Sequence, residues 1–283
     1  MKKADFSELA GRTCVITGGA GVIGSSIVEG LAAVGMKTAI LDINAELAGK
    51  VAEEVRSKTE GKVLGLKADV LDRASLEAAR DRIHAEFGRI QYLINGAGGN
   101  SPKATTKAEE MDEGSKKDWE STFFGLGLEG FDWVFDLNFK GTLLTSMVLA
   151  KDMVEDGSGA ILNISSMTSY KPLTKVPAYS AAKAAVNNFT EWLAVHLAKT
   201  GVRVNAIAPG FFLTEQNRFL LVDEKTGRMT PRGEKIIANT PMGRYGEVEE
   251  LQGTVLYLLS DLSRFVTGIV VPVDGGYSAF GGV

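Results

Sequence analysis

A tyrosine and a lysine one helical turn apart, Tyr179 and Lys183, are the residues of this chain best suited to moving a proton. From Pro177 the apolar positions Ala178, Ala181, Ala182, Ala185, Val186, Phe189 and Leu193 recur at helical spacing. Pro177 suits a first turn, so Tyr179 and Lys183 stand at i and i+4 on one helix face. A free phenol has a pKa of about 10, too high to release its proton readily near neutrality, but an ammonium beside it favours the phenolate and lowers that value. Tyr179 can then act as acid or base toward an alcohol or carbonyl oxygen. Thirteen residues before Tyr179, the apolar run Ala160-Ile-Leu-Asn-Ile ends in Ser165 and Ser166. The run reads as a buried strand, and Ser166 at its carboxyl end can hold the same oxygen by a hydrogen bond. A Tyr-x-x-x-Lys pair by itself is usually a surface pair; the strand-end serine and a glycine turn near the other end of the chain distinguish this one.

The elements that must position these groups alternate. Residues 13–17, 37–42, 62–68 and 90–95 read as strands, and 22–33, 45–58 and 73–87 as helices between them. This is the pattern of a parallel sheet covered on both faces, and right-handed crossovers make a doubly wound α/β sheet the expected topology. The first strand-to-helix turn is Gly19-Ala-Gly21-Val-Ile-Gly24, a G-x-G-x-x-G in the context where glycines let the backbone approach a pyrophosphate at a helix N-terminus. The bland alternative is an ordinary glycine turn. Asp42 ends the second strand 18 residues past Gly24, where a carboxylate can accept hydrogen bonds from ribose hydroxyls and would repel a 2′-phosphate. With Ile43 and Asn44 bringing no positive charge, NAD is favoured over NADP.

Composition agrees with a soluble globular chain. The 283 residues are 45% hydrophobic with a net charge of −4, and no apolar run approaches a membrane span. The charge gives no electrostatic case for nucleic acid or an anionic membrane. Two lysines near the N-terminus have no apolar segment after them, so no secretion signal is expected and a cytoplasmic location is. The single cysteine, Cys14, reads as a small core residue. His84 and His196 read as helix-surface residues, and no metal site is expected.

Ser166, Tyr179-Ser-Ala-Ala-Lys183 and the glycine turn together resemble the short-chain dehydrogenase/reductase family, and the resemblance extends over roughly residues 9–283. It implies one Rossmann-type domain over residues 1–283 with about seven strands, later ones at 160–165, 202–207 and 267–273, and a last helix at 247–262. In the glycine turn, Thr17, Gly18 and Gly24 match the family's Thr-Gly-x-x-x-Gly-x-Gly, with Val22 in place of the usual middle glycine. The implied cofactor contacts are Gly18, Ala20, Gly21, Val22 and Ile23 from that turn, Asp42 and Ile43, the pair Asp69-Val70 beside the adenine, Asn95, Ala97 and Gly98, and Tyr179 and Lys183. Asp69 has a plainer alternative as a helix N-terminal acid. Ala208-Pro209-Gly210-Phe-Phe212-Leu-Thr214 resembles the family segment that grips the nicotinamide, implying contacts from Pro209, Gly210, Phe212 and Thr214. Asn138, in a helix expected from residue 131, resembles the family asparagine that bends the helix and anchors a relay water, so the implied catalytic set is Asn138, Ser166, Tyr179 and Lys183.

Asn95 and Asn138 lie 43 residues apart, more than the family spacing, and residues 99–130 read as an insertion: a lid, a subunit contact or, over 103–117, a mobile loop. Residues 211–245 read as the substrate region. There Arg218 can clamp a carboxylate, with Gln216 and Asn217 facing hydroxyls and Asn100 and Ser166 adding contacts; Arg218 as a surface ion-pair former stays open. Gly99-Asn100, Phe123-Phe124, the segment 173–179 and the segment 210–218 resemble a branch of the family that acts on sugar acids, which implies interconversion of D-fructuronate and D-mannonate with NADH. A polyol, gluconate or 3-oxoacyl reductase, and an idle NAD-binding module, are the alternatives. The family resemblance also implies a homotetramer.

Overall fold

Continuous burial picks out the middle of the sheet. In the computed structural model, which describes residues 5–213, 221–223 and 227–282, β1 (Thr13–Thr17) is buried at every residue, and β2 (Lys37–Asp42) and β5 (Gly159–Ile164) at all but their ends. Parallel strands covered on both faces carry such uninterrupted apolar runs. With β3 (Val63–Lys67), β4 (Tyr92–Asn95), β6 (Val202–Pro209) and β7 (Val270–Val273) they form one parallel sheet in the order β3-β2-β1-β4-β5-β6-β7. The chain moves outward from β1 to β3 and then returns to β4 on the other side of β1. The crevice at the carboxyl ends of β1 and β4 is therefore a topological switch point, the place where ligands bind in open α/β sheets.

Two apolar layers close the faces. On one side α1 (Val22–Ala33) and α2 (Ala45–Thr59) pack through Ile27, Leu31, Val51 and Val55 together with Val255 and Leu259 of α9 (Gln252–Leu259). On the other, α3 (Arg73–Phe87), α5 (Gly141–Leu149), the short α6 (Lys151–Glu155) and α7 (Pro177–Leu197) contribute Leu76, Ile83, Val148, Met153, Phe189 and Leu193. Caps agree with sequence: the Asn44 side chain accepts from Leu47 N at 3.0 Å at the start of α2, and Asp72 from Ala74 N at 2.9 Å at the start of α3.

Four differences from expectation have local causes. The helix expected from residue 131 begins earlier, as α4 (Leu128–Phe135), because Gly130 lets it lie on the Lys103–Ala104 backbone; a Cβ there would meet Lys103 Cβ at 2.6 Å. Residues 99–130 are folded into short 3₁₀ turns, Pro102–Ala104, Ser115–Lys117, Trp119–Ser121 and Phe123–Gly125, and Ala104 packs with Val134, Ala178 and Ala182 in a third, small apolar cluster. The last helix is shortened at both ends to α9: Val248–Leu251 before it is a 3₁₀ turn, and the extended backbone of Ser260 ends it. Within the charged stretch before Pro241 stands a helix, α8 (Pro231–Ala238), whose signal was present in sequence: Thr230 accepts from Gly233 N at 3.1 Å, and Pro231 occupies the first turn.

Candidate active site

Ser166 leaves β5 with extended backbone (φ −161°, ψ 152°), and its Oγ accepts from Thr168 N at 3.2 Å, which fixes the side chain at the head of a 3₁₀ turn. The Ser166 hydroxyl faces the Tyr179 phenol and favours its ionised form. Lys183 is 4% exposed; its Nζ donates to the Ile164 carbonyl at 2.8 Å and stands 5.6 Å from the centroid of the Tyr179 ring. Burial pushes the Lys183 ammonium down to about 8. Burial also raises the Tyr179 phenol above its ordinary value, against the opposing pull of the Ser166 hydrogen bond. The expected direction, a phenol lowered by its lysine neighbour, is thus corrected. In this cleft the group that favours the phenolate is Ser166, because Lys183 lies beside the ring and donates its hydrogen bond to the backbone carbonyl of Ile164.

Asn138 is wholly buried in a π-helical turn, Asp136–Lys140, that joins α4 to α5. Its Nδ2 donates to Gly99 O at 2.7 Å and Val134 O at 2.8 Å, while its Oδ1 accepts from Gly99 N at 3.3 Å. The side chain therefore clamps the backbone just past β4. A Cβ on Gly98 would lie 2.6 Å from Asn138 Oδ1 and 3.2 Å from Lys183 Nζ, so only glycine lets Asn138, Lys183 and this backbone meet.

A cleft of about 800 Å³ runs from Gly18, Gly21, Val22, Ile23 and Asp42 to Gly98, Asn100, Tyr179, Lys183, Gly210 and Phe212. Its far end fits a dinucleotide on several counts. Gly18 has φ +64°, and a Cβ there would sit 2.8 Å from Ala97 Cα; on Gly24 it would sit 2.4 Å from Gly18 O. Unlike α2 and α3, α1 has no side-chain cap at Gly21, which leaves its first amides for an anion. Asp42 lines the cleft, with Oδ2 accepting from Ala20 N at 3.3 Å and Oδ1 from Asn44 N at 3.1 Å, and among the described residues no arginine or lysine is bonded to it.

Other expected contacts stand back from this wall. Ala20 is buried under the turn, and Ile43 is exposed beside Asp42. Asp69 Oδ1 accepts from Leu71 N at 2.8 Å, and Val70 is buried against Gly141. The helix cap is Asp72 rather than Asp69, which removes the plainer alternative for Asp69. Ala97 N donates to Thr17 Oγ1 at 3.2 Å, and Pro209 pairs with Val273 in the sheet. The Asn95 side chain points into the interior, Nδ2 donating to Ser146 Oγ at 2.9 Å and Asn163 Oδ1 at 2.8 Å, where strand β4 is tied to its neighbours, so only its backbone is left to meet a cofactor. Asn100 Nδ2 is engaged by Thr105 Oγ1 at 2.9 Å. Thr214, Gln216, Asn217 and Arg218 lie outside the described residues.

Sequence reading missed Asn187, the next residue on the Tyr179–Lys183 stripe. Asn187 Oδ1 accepts from Ser165 Oγ, and its Nδ2 donates to Ser169 Oγ at 2.8 Å. Ser169 Oγ in turn donates to the Ser166 carbonyl at 2.6 Å, and Ser165 Oγ reaches Lys183 O at 3.3 Å. The i+8 position of an asparagine in an Ala-rich helix was the available signal. Gly210 was anticipated but not its setting: a Cβ there would meet Asp274 Cα at 2.6 Å, so the turn after β7 braces the chain where it leaves β6. Of the two histidines, His84 Nε2 lies 2.6 Å from buried Asp152 Oδ2, and His196 stacks on Trp192. No group of three metal-binding side chains occurs among the described residues, and no described helix is long and apolar enough to cross a membrane.

Comparison with known proteins gives this geometry a context. The family described as short chain dehydrogenase matches residues 12–225. The chain is 52% identical over 277 residues, 98% of each chain, to the uncharacterized oxidoreductase UxuB of Bacillus subtilis. It is 34% identical over 273 residues, 96% of this chain and 97% of the relative, to a 2-dehydro-3-deoxy-D-gluconate 5-dehydrogenase of Escherichia coli. A solved structure from Haemophilus influenza, provisionally described as a D-mannonate oxidoreductase with bound NAD, superposes with a TM-score of 0.90 at 47% identity, over 98% of this chain and 99% of that one.

Proposed function

The chain belongs to the short-chain dehydrogenase family and is an oxidoreductase, and from that premise we propose that it uses NAD to interconvert a keto sugar acid and its hydroxy form, D-fructuronate and D-mannonate. The observation that carries the chemistry is that Tyr179, with Lys183 5.6 Å from its ring and the Ser166 hydroxyl facing its phenol, stands at one end of a cleft whose other end is the glycine turn and Asp42. The sugar-acid assignment is supported by likeness to the Haemophilus structure and to a keto-sugar-acid dehydrogenase. NAD is supported by Asp42, which would face a 2′-phosphate with a like charge.

When bound, NADH supplies the hydride to the ketone carbon. Tyr179 gives its proton to the oxygen on which negative charge develops. Ser166 orients that oxygen by a hydrogen bond, and such preorganised donors act most strongly on charge that appears in the transition state. Lys183 holds the ribose and keeps positive charge beside the phenol. Asn138 fixes the backbone at Gly99 and supports the water through which the proton is resupplied. Gln216, Asn217 and Arg218 are assigned to the substrate hydroxyls and carboxylate. The same reading places the enzyme in the cytoplasm as a homotetramer, which light scattering checks for the assembly.

The test is a panel of fructuronate, gluconate-type keto acids, diols and oxoacyl thioesters with NADH, followed at the nicotinamide absorbance. Fructuronate is expected to give the highest kcat/KM; preference for 2-dehydro-3-deoxy-gluconate would move the assignment within the sugar acids, and no NADH oxidation by any carbonyl would return the idle module. Tyr179→Phe is expected to lower kcat by about 10²–10⁴-fold with NADH binding little changed. Full turnover in that variant would overturn the role given to Tyr179.

A further inference from the structure

Two residues before α7 the backbone is strained. Lys175 has φ +74°, and Val176 N donates back to Thr174 O at 3.1 Å. Together these describe a γ-turn of the positive-φ kind, which is rare and costly for any residue with a Cβ. Such conformations persist only where the surroundings over-determine them, and they cluster where position is used. The surroundings here are the insertion. Thr106 N donates to the Lys175 carbonyl at 2.9 Å, and Ala104, two residues earlier, shares with Ala178 and Ala182 the small apolar cluster against which Tyr179 packs. Val176 then caps α7, Pro177 takes its first turn, and Tyr179 follows.

The geometry points to Lys175 as a positioning residue: its left-handed turn, held by the Thr106 amide of the insertion, sets where α7 begins and thereby where the Tyr179 hydroxyl meets Ser166. The insertion then belongs to the catalytic apparatus as a brace, and Lys175 acts through its backbone. A role through charge is the competing account. Glu109, in the same insertion, is held below the usual carboxylate range first by its hydrogen bond to Lys235, 2.7 Å away, and more weakly by the charges of Lys175 and Arg232. The brace depends on Tyr179 being the proton donor, as proposed above, and adds the element that aims it.

The experiment separates backbone from charge. Lys175→Val, whose β-branched side chain resists positive φ, is expected to lower kcat per folded molecule on the order of tenfold, with KM for NADH unchanged and a displaced pH profile of kcat. Lys175→Gly and Lys175→Asn, which accept positive φ without the ammonium, are expected to restore turnover. Should Lys175→Val not fold, Thr106→Pro, which removes the donor, is expected to lower kcat where Thr106→Ala, which keeps it, does not. Wild-type kcat in folded Lys175→Val or Thr106→Pro overturns the brace, and so does loss of turnover in Lys175→Gly with a raised KM for the sugar acid, which would place the ammonium on the substrate. Full activity of Tyr179→Phe defeats the underlying reading instead, whereas an inactive Tyr179→Phe beside an unimpaired Lys175→Val defeats only the brace.

Discussion

The Lys183 ammonium lies 5.6 Å from the centre of the Tyr179 ring and donates to the Ile164 carbonyl rather than to the phenol oxygen. One helical turn brings the two side chains together, but the end of β5 decides what the ammonium bonds.

That placement has a cost that can be measured. Lys183 falls from its ordinary 10.5 to about 8 on burial, which corresponds to roughly 3 kcal/mol against the folded state wherever the side chain is charged in both states. Because the folded value is the lower one, the unfolded chain binds more protons between pH 8 and 10.5, so the cofactor-free protein should gain stability across that window and lose it as pH falls to 8. Lys183→Met is expected to be inactive, more stable than wild type at pH 7, and without this component of the pH dependence. Denaturant unfolding of both proteins at pH 7 and pH 10 reads it; equal stability at pH 7 would show that the buried ammonium is better compensated than its single carbonyl partner indicates.

Ser166 opposes the rise of the Tyr179 phenol by hydrogen bonding to it. Its removal leaves burial unopposed, so the phenol should move further up. In the alcohol-oxidising direction Tyr179 must be deprotonated, and the rise of kcat with pH should therefore shift to higher pH in Ser166→Ala, with a lower plateau. A rise at unchanged pH would separate Ser166 from the ionisation of Tyr179.

Asp42 lines the cleft at its glycine-turn end, where we propose that the ribose of the cofactor sits. Replacing it with alanine and Ile43 with arginine removes a like-charge clash and adds a phosphate partner. The ratio of kcat/KM for NADPH over NADH should rise by about 10- to 100-fold, since such juxtapositions are worth up to several kcal/mol. Steady-state kinetics with both nucleotides decide it, and an unmoved ratio would remove Asp42 from cofactor choice.

Asn187 ties Ser165 and Ser169 to α7, and Ser169 holds the Ser166 carbonyl. Asn187→Ala removes one hydrogen-bond partner each from buried Ser165 and half-buried Ser169, which keep the Lys183 and Ser166 carbonyls, and should cost about 1–2 kcal/mol of stability. It should also lower kcat with KM for NADH held, because Ser166 loses its support. Unfolding curves and initial rates together test both halves; a stability loss with intact kcat would confine Asn187 to folding.

Much of this protein is written locally. The bounds of β1, α1, β2 and α3 follow from runs and caps within a few residues of each element, and parallel pairing with right-handed crossovers then leaves few arrangements, of which a doubly wound sheet is the obvious one. Tyr179, Lys183 and the glycine turn were legible for the same reason, since a helix period and a strand-to-helix turn are properties of consecutive residues.

What the tertiary structure decided are the relations between segments far apart in sequence. The partner of the Lys183 ammonium, the inward turn of Asn95, the grip of Asn138 on Gly99 and the bond from Thr106 to Lys175 each join residues from different elements. Residue type fixes which groups can donate, accept or ionise. Which of them meet, and whether burial or a neighbour sets the proton's affinity, depends on packing over the whole fold: at Tyr179 burial outweighs the opposing effect of Ser166.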